Sequence, residues 1–163
     1  MYIPKRLQSN FTITDEKAKD YILISGHLLC CKKEHFSLFY HGIVNQDVFG
    51  HNHITSNRQN IALVANCKKC SKSITIFDNA IDGYDACISE RKKHYDMNIK
   101  EYLCPKCKQN DFSVYIKYEY LPNHELEDES IQDINLAFSW IWVSVKCNVC
   151  GKKNNHLINY ETS

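Results

Sequence analysis

Six of the nine cysteines in this 163-residue chain fall into three Cys-x-x-Cys pairs: Cys67/Cys70, Cys104/Cys107 and Cys147/Cys150. Two residues between cysteines is the span of one tight turn that aims both sulfurs at a common point, so the fold must bring such turns together around metal. The odd total argues against a disulfide framework, and cysteines kept as ligands belong in a reducing compartment. No run approaches the roughly 18–20 apolar residues of a membrane helix, and residues 1–11 lack a secretion signal. The expected location is therefore cytoplasmic, with no membrane partner. A hydrophobic content of 44% is enough for a packed core.

Cys104, Cys107, Cys147 and Cys150 make the complete set. Zinc takes four soft ligands in a tetrahedron, and two such turns close its shell. The 39 residues between Cys107 and Cys147 are accommodated by a polar loop over 121–135. Pro105 fixes its backbone inside the first knuckle, and Gly151 tolerates the turn just after the last cysteine. Cys104-Pro-Lys-Cys107 and Cys147-Asn-Val-Cys150-Gly151 resemble the knuckles of the zinc-ribbon group, a fold of two metal knuckles capping a small β-sheet. The resemblance covers about 101–160 well and 25–80 less well, and it implies fold rather than function. A rubredoxin-like iron site uses the same ligands, so zinc and iron both fit the spacing.

The pattern occurs twice. Cys31, Phe36, Ser37 and Leu38 recur as Cys107, Phe112, Ser113 and Val114 at an offset of 76 residues, and Cys67/Cys70 recur as Cys147/Cys150 at 80. Period-2 alternation predicts strands over 112–120, 137–145 and 74–77, with a weaker one over 36–40 and another beginning at 22–25. Residues 45–60 and 121–135 read as long polar loops, the second with room for a helical turn. Thr14 ahead of Asp15, Glu16 and Lys17 predicts a short capped helix, and 85–97, free of Gly and Pro, a helical connector. The expected fold is β-rich (α+β): two tandem zinc-ribbon-like antiparallel units joined by a helix. Its parts are an amino-terminal unit over 1–82, the connector over 83–99 and a carboxyl-terminal zinc ribbon over 100–163.

The first half departs from the pattern, because the knuckle opposite Cys67 and Cys70 reads His27-Leu-Leu-Cys30-Cys31. Three readings fit it. A shortened knuckle makes Cys30 and Cys31 both ligands, with His27 in reserve; His27-x-x-Cys30 is the chelating pair, leaving Cys31 spare; or this site carries no metal. Cys87 is expected to be a small buried side chain.

A shell closed by four thiolates has no position for water or substrate, so the expected role is non-catalytic, with two Zn2+ and no small-molecule substrate. The partner is a nucleic acid or a protein. Lysines around the knuckles, among them Lys32, Lys68, Lys106, Lys146 and Lys153, lie near Tyr115, Tyr118, Trp140 and Trp142, which suits phosphates and unpaired bases. Overall charge does not single out nucleic acid: residues 1–80 carry ten basic against six acidic side chains, and 81–163 ten against thirteen. An acidic loop over 125–133 and exposed sheet edges suit an adaptor that binds protein. His51-Asn52-His53-Ile54, Asn60-Ile61 and the later Cys67/Cys70 also resemble HNH nucleases, in which a histidine activates water beside a metal. The glycines expected after the histidine segment are absent, and 74–77 reads as a strand where that motif needs a helix.

Overall fold

The computed structural model describes residues 2–58, 60–88, 98–122, 124–125, 131 and 133–162. The alternation in the sequence carries over directly into strands. Of the strand β9 (Phe112–Tyr120), residues Phe112, Val114, Ile116, Tyr118 and Tyr120 are buried, while Ser113, Tyr115, Lys117 and Glu119 face outward. β10 (Trp140–Cys147) buries Ile141, Val143, Val145 and Cys147 and turns Trp140 and Trp142 out. Each large aliphatic or aromatic side chain taken from water contributes about 1.5–3 kcal/mol, so the inward row of these two strands alone anchors the sheet.

The remaining strands are β1 (Phe11–Ala18), β2 (Ile22–Leu28), β3 (Phe36–His41), β4 (Ile43–Gln46), β5 (Asn52–Thr55), β6 (Ala62–Cys67), β7 (Ser73–Asp78), β8 (Lys100–Glu101) and β11 (Lys153–Glu161). Of the eleven strands among the described residues, nine form one antiparallel sheet with the path β1-β2-β9-β3-β6-β7; β8 adds to β3, and β10 with β11 adds to β9. One buried cluster, from Ile3 to Ile158, runs through all of it.

The expected arrangement of two tandem ribbon units joined by a helix does not form. The strand that leads into each first knuckle pairs with the other half: β2, just before Cys30, lies along β9, and β8, just before Cys104, lies along β3. Long-range pairing of this kind builds a single curled sheet with one core. The helix α1 is short, Tyr84–Ile88, and the rest of the expected connector, 89–97, lies outside the described residues.

Residues 14–17, expected as a helix, belong to β1. Phe11 and Ile13 turn towards the core and pair with β2, so burial overrides local helix preference, and the exposed Asp15, Glu16 and Lys17 line an outer edge where charge deters further pairing. β2 is squeezed between β1 and β9, and a Cβ on Gly26 would stand 2.1 Å from the Thr12 carbonyl oxygen, so only glycine fits there. The expected loop over 45–60 contains the hairpin β4–β5, closed by Asp47, whose carboxylate accepts from the backbone N–H groups of Phe49 and His51. In the 121–135 segment His124 and Glu125 are helical, with Glu125 N–H donating to Pro122 O at 2.9 Å, and a 3-10 turn follows at Ile134–Leu136; residues 123, 126–130 and 132, and with them most of the acidic stretch, lie outside the described residues.

Candidate metal centres

Two groups of four sulfurs converge. Cys104, Cys107, Cys147 and Cys150 form one group, Cys30, Cys31, Cys67 and Cys70 the other, and within each every sulfur lies within 4.8 Å of the rest. Sγ–Sγ separations are 3.6 Å for Cys104–Cys150, 3.5 Å for Cys107–Cys147, 3.6 Å for Cys30–Cys70 and 3.9 Å for Cys30–Cys31. A tetrahedron with metal–sulfur bonds of ~2.3 Å spaces its sulfurs about 3.8 Å apart. The cysteines are free thiols, and a bonded S–S pair would lie at about 2.05 Å. Both groups therefore fit one ion each.

Local backbone geometry explains how. In each half the second pair sits in the turn between two paired strands, Cys67/Cys70 between β6 and β7 and Cys147/Cys150 between β10 and β11. Corresponding hydrogen bonds shape the two turns: Cys67 N–H to Lys72 O at 2.9 Å and Cys147 N–H to Lys152 O at 2.9 Å, then Ser71 N–H to Cys67 O at 2.8 Å and Gly151 N–H to Cys147 O at 2.9 Å. The residue after each last cysteine is left-handed, Gly151 at φ 76° and Ser71 at φ 62°. Glycine adopts that conformation freely, whereas serine takes on a cost of about 1 kcal/mol.

The first knuckles differ. Lys108 follows Cys107 at φ 61°, and Lys32 follows Cys31 at φ 56°, but Cys31 is itself left-handed at φ 53°. With no residues between Cys30 and Cys31, the backbone has to curl at the cysteine to aim both sulfurs inward. Of the three readings of this knuckle, the shortened one matches the geometry. His27 does not join the group: it extends from β2 onto the outer sheet face, where its ring meets Tyr115 edge-on at 5.2 Å and its Nδ1 lies 3.0 Å from Glu34. Cys87 stands apart on α1, half-buried, and burial pushes its thiol up to about 11.

Electrostatics within each group favour a cation. Burial, then hydrogen bonding to Cys67 and Cys70, pushes the Cys30 thiol up to about 12. Burial opposes ionisation of Cys67 too, but the backbone N–H groups of Cys70 and Lys69 outweigh it and bring that thiol down to about 7. In the other group the Lys152 N–H lowers Cys150 to about 7, while Cys107, despite a bond from the Gln109 N–H, is pushed up to about 12 by burial and the neighbouring sulfurs. In each group one thiol, Cys67 or Cys150, ionises easily while Cys30 or Cys107 beside it resists, because negative charges crowded into so small a space repel without a metal between them.

The histidines of the 51–54 segment are engaged in structure. His51 Nδ1 accepts from Asn155 N–H at 3.0 Å, and the two ring nitrogens of His53 face His156 O at 2.7 Å and Asp47 at 2.8 Å, tying the β4–β5 hairpin to β11. The expected aromatic contacts divide. Tyr118 is fully buried, whereas Tyr115, Trp140 and Trp142 lie on the outer face. Sequence reasoning missed Lys117, whose Nζ stands 4.8 Å over the Trp142 ring; its place in the outward register of β9 was the available signal.

Comparison with protein-family models, with curated proteins and with solved structures finds no match to this chain. The metal-binding capacity of the two four-cysteine groups consequently rests on their own geometry. Among the described residues, no helix is long and apolar enough to cross a membrane.

Proposed function

We propose that the chain is a non-catalytic zinc-binding module of the cytoplasm, with Zn2+ in both four-cysteine groups and a macromolecule as its partner. The observation that carries the metal is the convergence of four sulfurs, twice, at tetrahedral spacing. Zinc is the ion because four thiolates suit a d10 cation with no geometric demand of its own, and closed shells of this kind brace folds rather than activate water. Each ion ties the turn between two strands to a segment that enters the sheet elsewhere. Metal binding worth on the order of 10 kcal/mol rivals the whole stability of a domain this size.

Elemental analysis of purified protein tests the reading directly. Two zincs per chain support it, and iron, with the colour of a ferric thiolate, would overturn it in favour of electron transfer. Strong chelation is expected to abolish most of the β-sheet circular dichroism. Magnesium- or manganese-dependent cleavage of DNA, lost on replacing His51 and His53, would instead support the nuclease alternative.

A second reading, an adaptor that binds protein, is favoured by one feature. At the β4–β5 tip Val48 and Phe49 are 92% and 82% exposed, a cost in water that an apolar partner site would relieve. Salt separates the readings: a nucleic acid is lost steeply as salt rises, and an apolar contact is not.

A further inference from the structure

The outer face of β9, β10 and β11 is unlike the rest of the surface. Trp140 and Trp142, the only tryptophans of the chain, stack with ring centroids 5.2 Å apart and planes within 8°. Trp140 Nε1 donates to Asn159 Oδ1 at 2.7 Å, which fixes the ring, and Lys117 Nζ caps Trp142 at 4.8 Å. Towards the knuckle the same face opens into a groove of about 510 Å³, lined by His27, Tyr115, Ser144, Lys146, Lys153 and Asn155. Lys146 and Lys153 are exposed, and they pair across β10 and β11 at that end.

We propose that this face binds single-stranded nucleic acid, with bases stacking against the Trp140–Trp142 slab and Tyr115 while phosphates run along Lys117, Lys146 and Lys153. The inference rests on the proposed binding-module role and supplies its partner and surface. The chemistry fits on three counts. Indole and phenol rings offer π-faces to any base, so stacking tolerates sequence, and it is strongest on rings already held in place. Lys117 stands level with Trp142, and Lys146 and Lys153 lie on the knuckle side of the slab, so the three cations on adjacent strands offer a path for a sugar–phosphate backbone. The acidic groups are segregated: Glu119 and Glu161 pair with Trp140 at the opposite end, and Glu34, at the groove wall, faces His27. Duplex is a poorer ligand because its bases are already stacked on one another.

The test uses the full chain with its metal and two fluorescein-labelled 12-mers, oligo-dT and oligo-U, with the hairpin duplex of equal length as comparison. Because both tryptophans lie on this face, quenching of intrinsic fluorescence reports contact there, and anisotropy reports affinity. The expected result is quenching by both single strands, weaker duplex binding, and an affinity that falls steeply with salt. Trp142→Leu and, separately, Lys146→Glu with Lys153→Glu each weaken binding by about tenfold or more, and Lys100→Glu on β8, which pairs with β3 and not with β9, β10 or β11, leaves it unchanged. Zinc is measured on every sample. No quenching by either oligonucleotide from protein holding two zincs overturns this inference alone and leaves the face to a protein partner. Binding unaltered by both variants also overturns it, whereas protein that lacks zinc refutes the proposed function itself.

Discussion

Phe36 and Phe112 face one another as the sole backbone pair between β3 and β9, and each also pairs with the cysteine that opens a second knuckle, Phe36 with Cys67 and Phe112 with Cys147. The two metal groups are thus linked through one backbone pair between two buried phenylalanines. Flanking hydrogen bonds repeat on both sides of it: Ser37 Oγ donates to Asn110 O at 3.3 Å, and Ser113 Oγ to Glu34 O at 3.2 Å.

Loss of either ring is expected to damage both sites. Phe36→Ala removes a fully buried side chain, costing about 3–5 kcal/mol and lowering the melting temperature by roughly 10 °C. If the seam transmits the strain, zinc at the Cys104 group as well as at the Cys67 group becomes easier to strip. A variant that loosens only the nearer site would show that the two halves respond independently.

The two sites are expected to differ in lability. Cys31 and Cys70 are exposed, whereas Cys107 and Cys150 are half-buried, and the first knuckle also curls through two consecutive left-handed residues. Competition with a chromogenic chelator therefore releases zinc in two phases, the faster from the first site. Cys31→Ser removes the fast phase and preserves the slow one; the reverse assignment would contradict the geometry.

Acid is expected to release metal, and the sign follows from proton counting. Cys30 and Cys107, pushed up to about 12, are protonated at neutral pH without metal and must lose those protons to bind it. The bound form holds fewer protons, so raising the pH strengthens binding, by about tenfold per pH unit for each proton released. Calorimetry of zinc binding in buffers of different ionisation enthalpy counts the protons, and a count of zero at pH 7 would refute the protonation states.

The parts of the fold legible in the sequence are those set by short-range spacing. Alternation along 112–120 announced β9 because every second residue there is apolar, and Cys-x-x-Cys turns announced the carboxyl-terminal group because two residues fix the turn. The exchange of β2 and β8 between halves left no local trace, since it depends on pairings about 90 and 60 residues apart. β1 was hidden by charges that suit an exposed edge as well as a helix end. The shortened Cys30–Cys31 knuckle was one of three readings until the backbone showed Cys31 itself turning left-handed.

The β4–β5 hairpin, written in the sequence as a polar loop, is held by a latch that makes the last prediction. Asn154 Oδ1 accepts from the Asn52 N–H at 2.6 Å and its Nδ2 donates to Asn52 O at 2.8 Å, so one side chain substitutes for a strand neighbour; both residues are buried. Asn154→Ala strands a buried donor and a buried acceptor, each costing about 1–3 kcal/mol. The hairpin is then expected to lift from β11: hydrogen exchange at 43–55 accelerates and proteases cut near 47–50, while zinc content stays at the wild-type level. Asn154→Asp keeps the acceptor for Asn52 N–H but sets a carboxylate against the Asn52 carbonyl, so it restores none of the protection. Equal protection in Asn154→Ala and wild-type protein would mean that His51 and His53, through their own contacts with β11, hold the hairpin unaided.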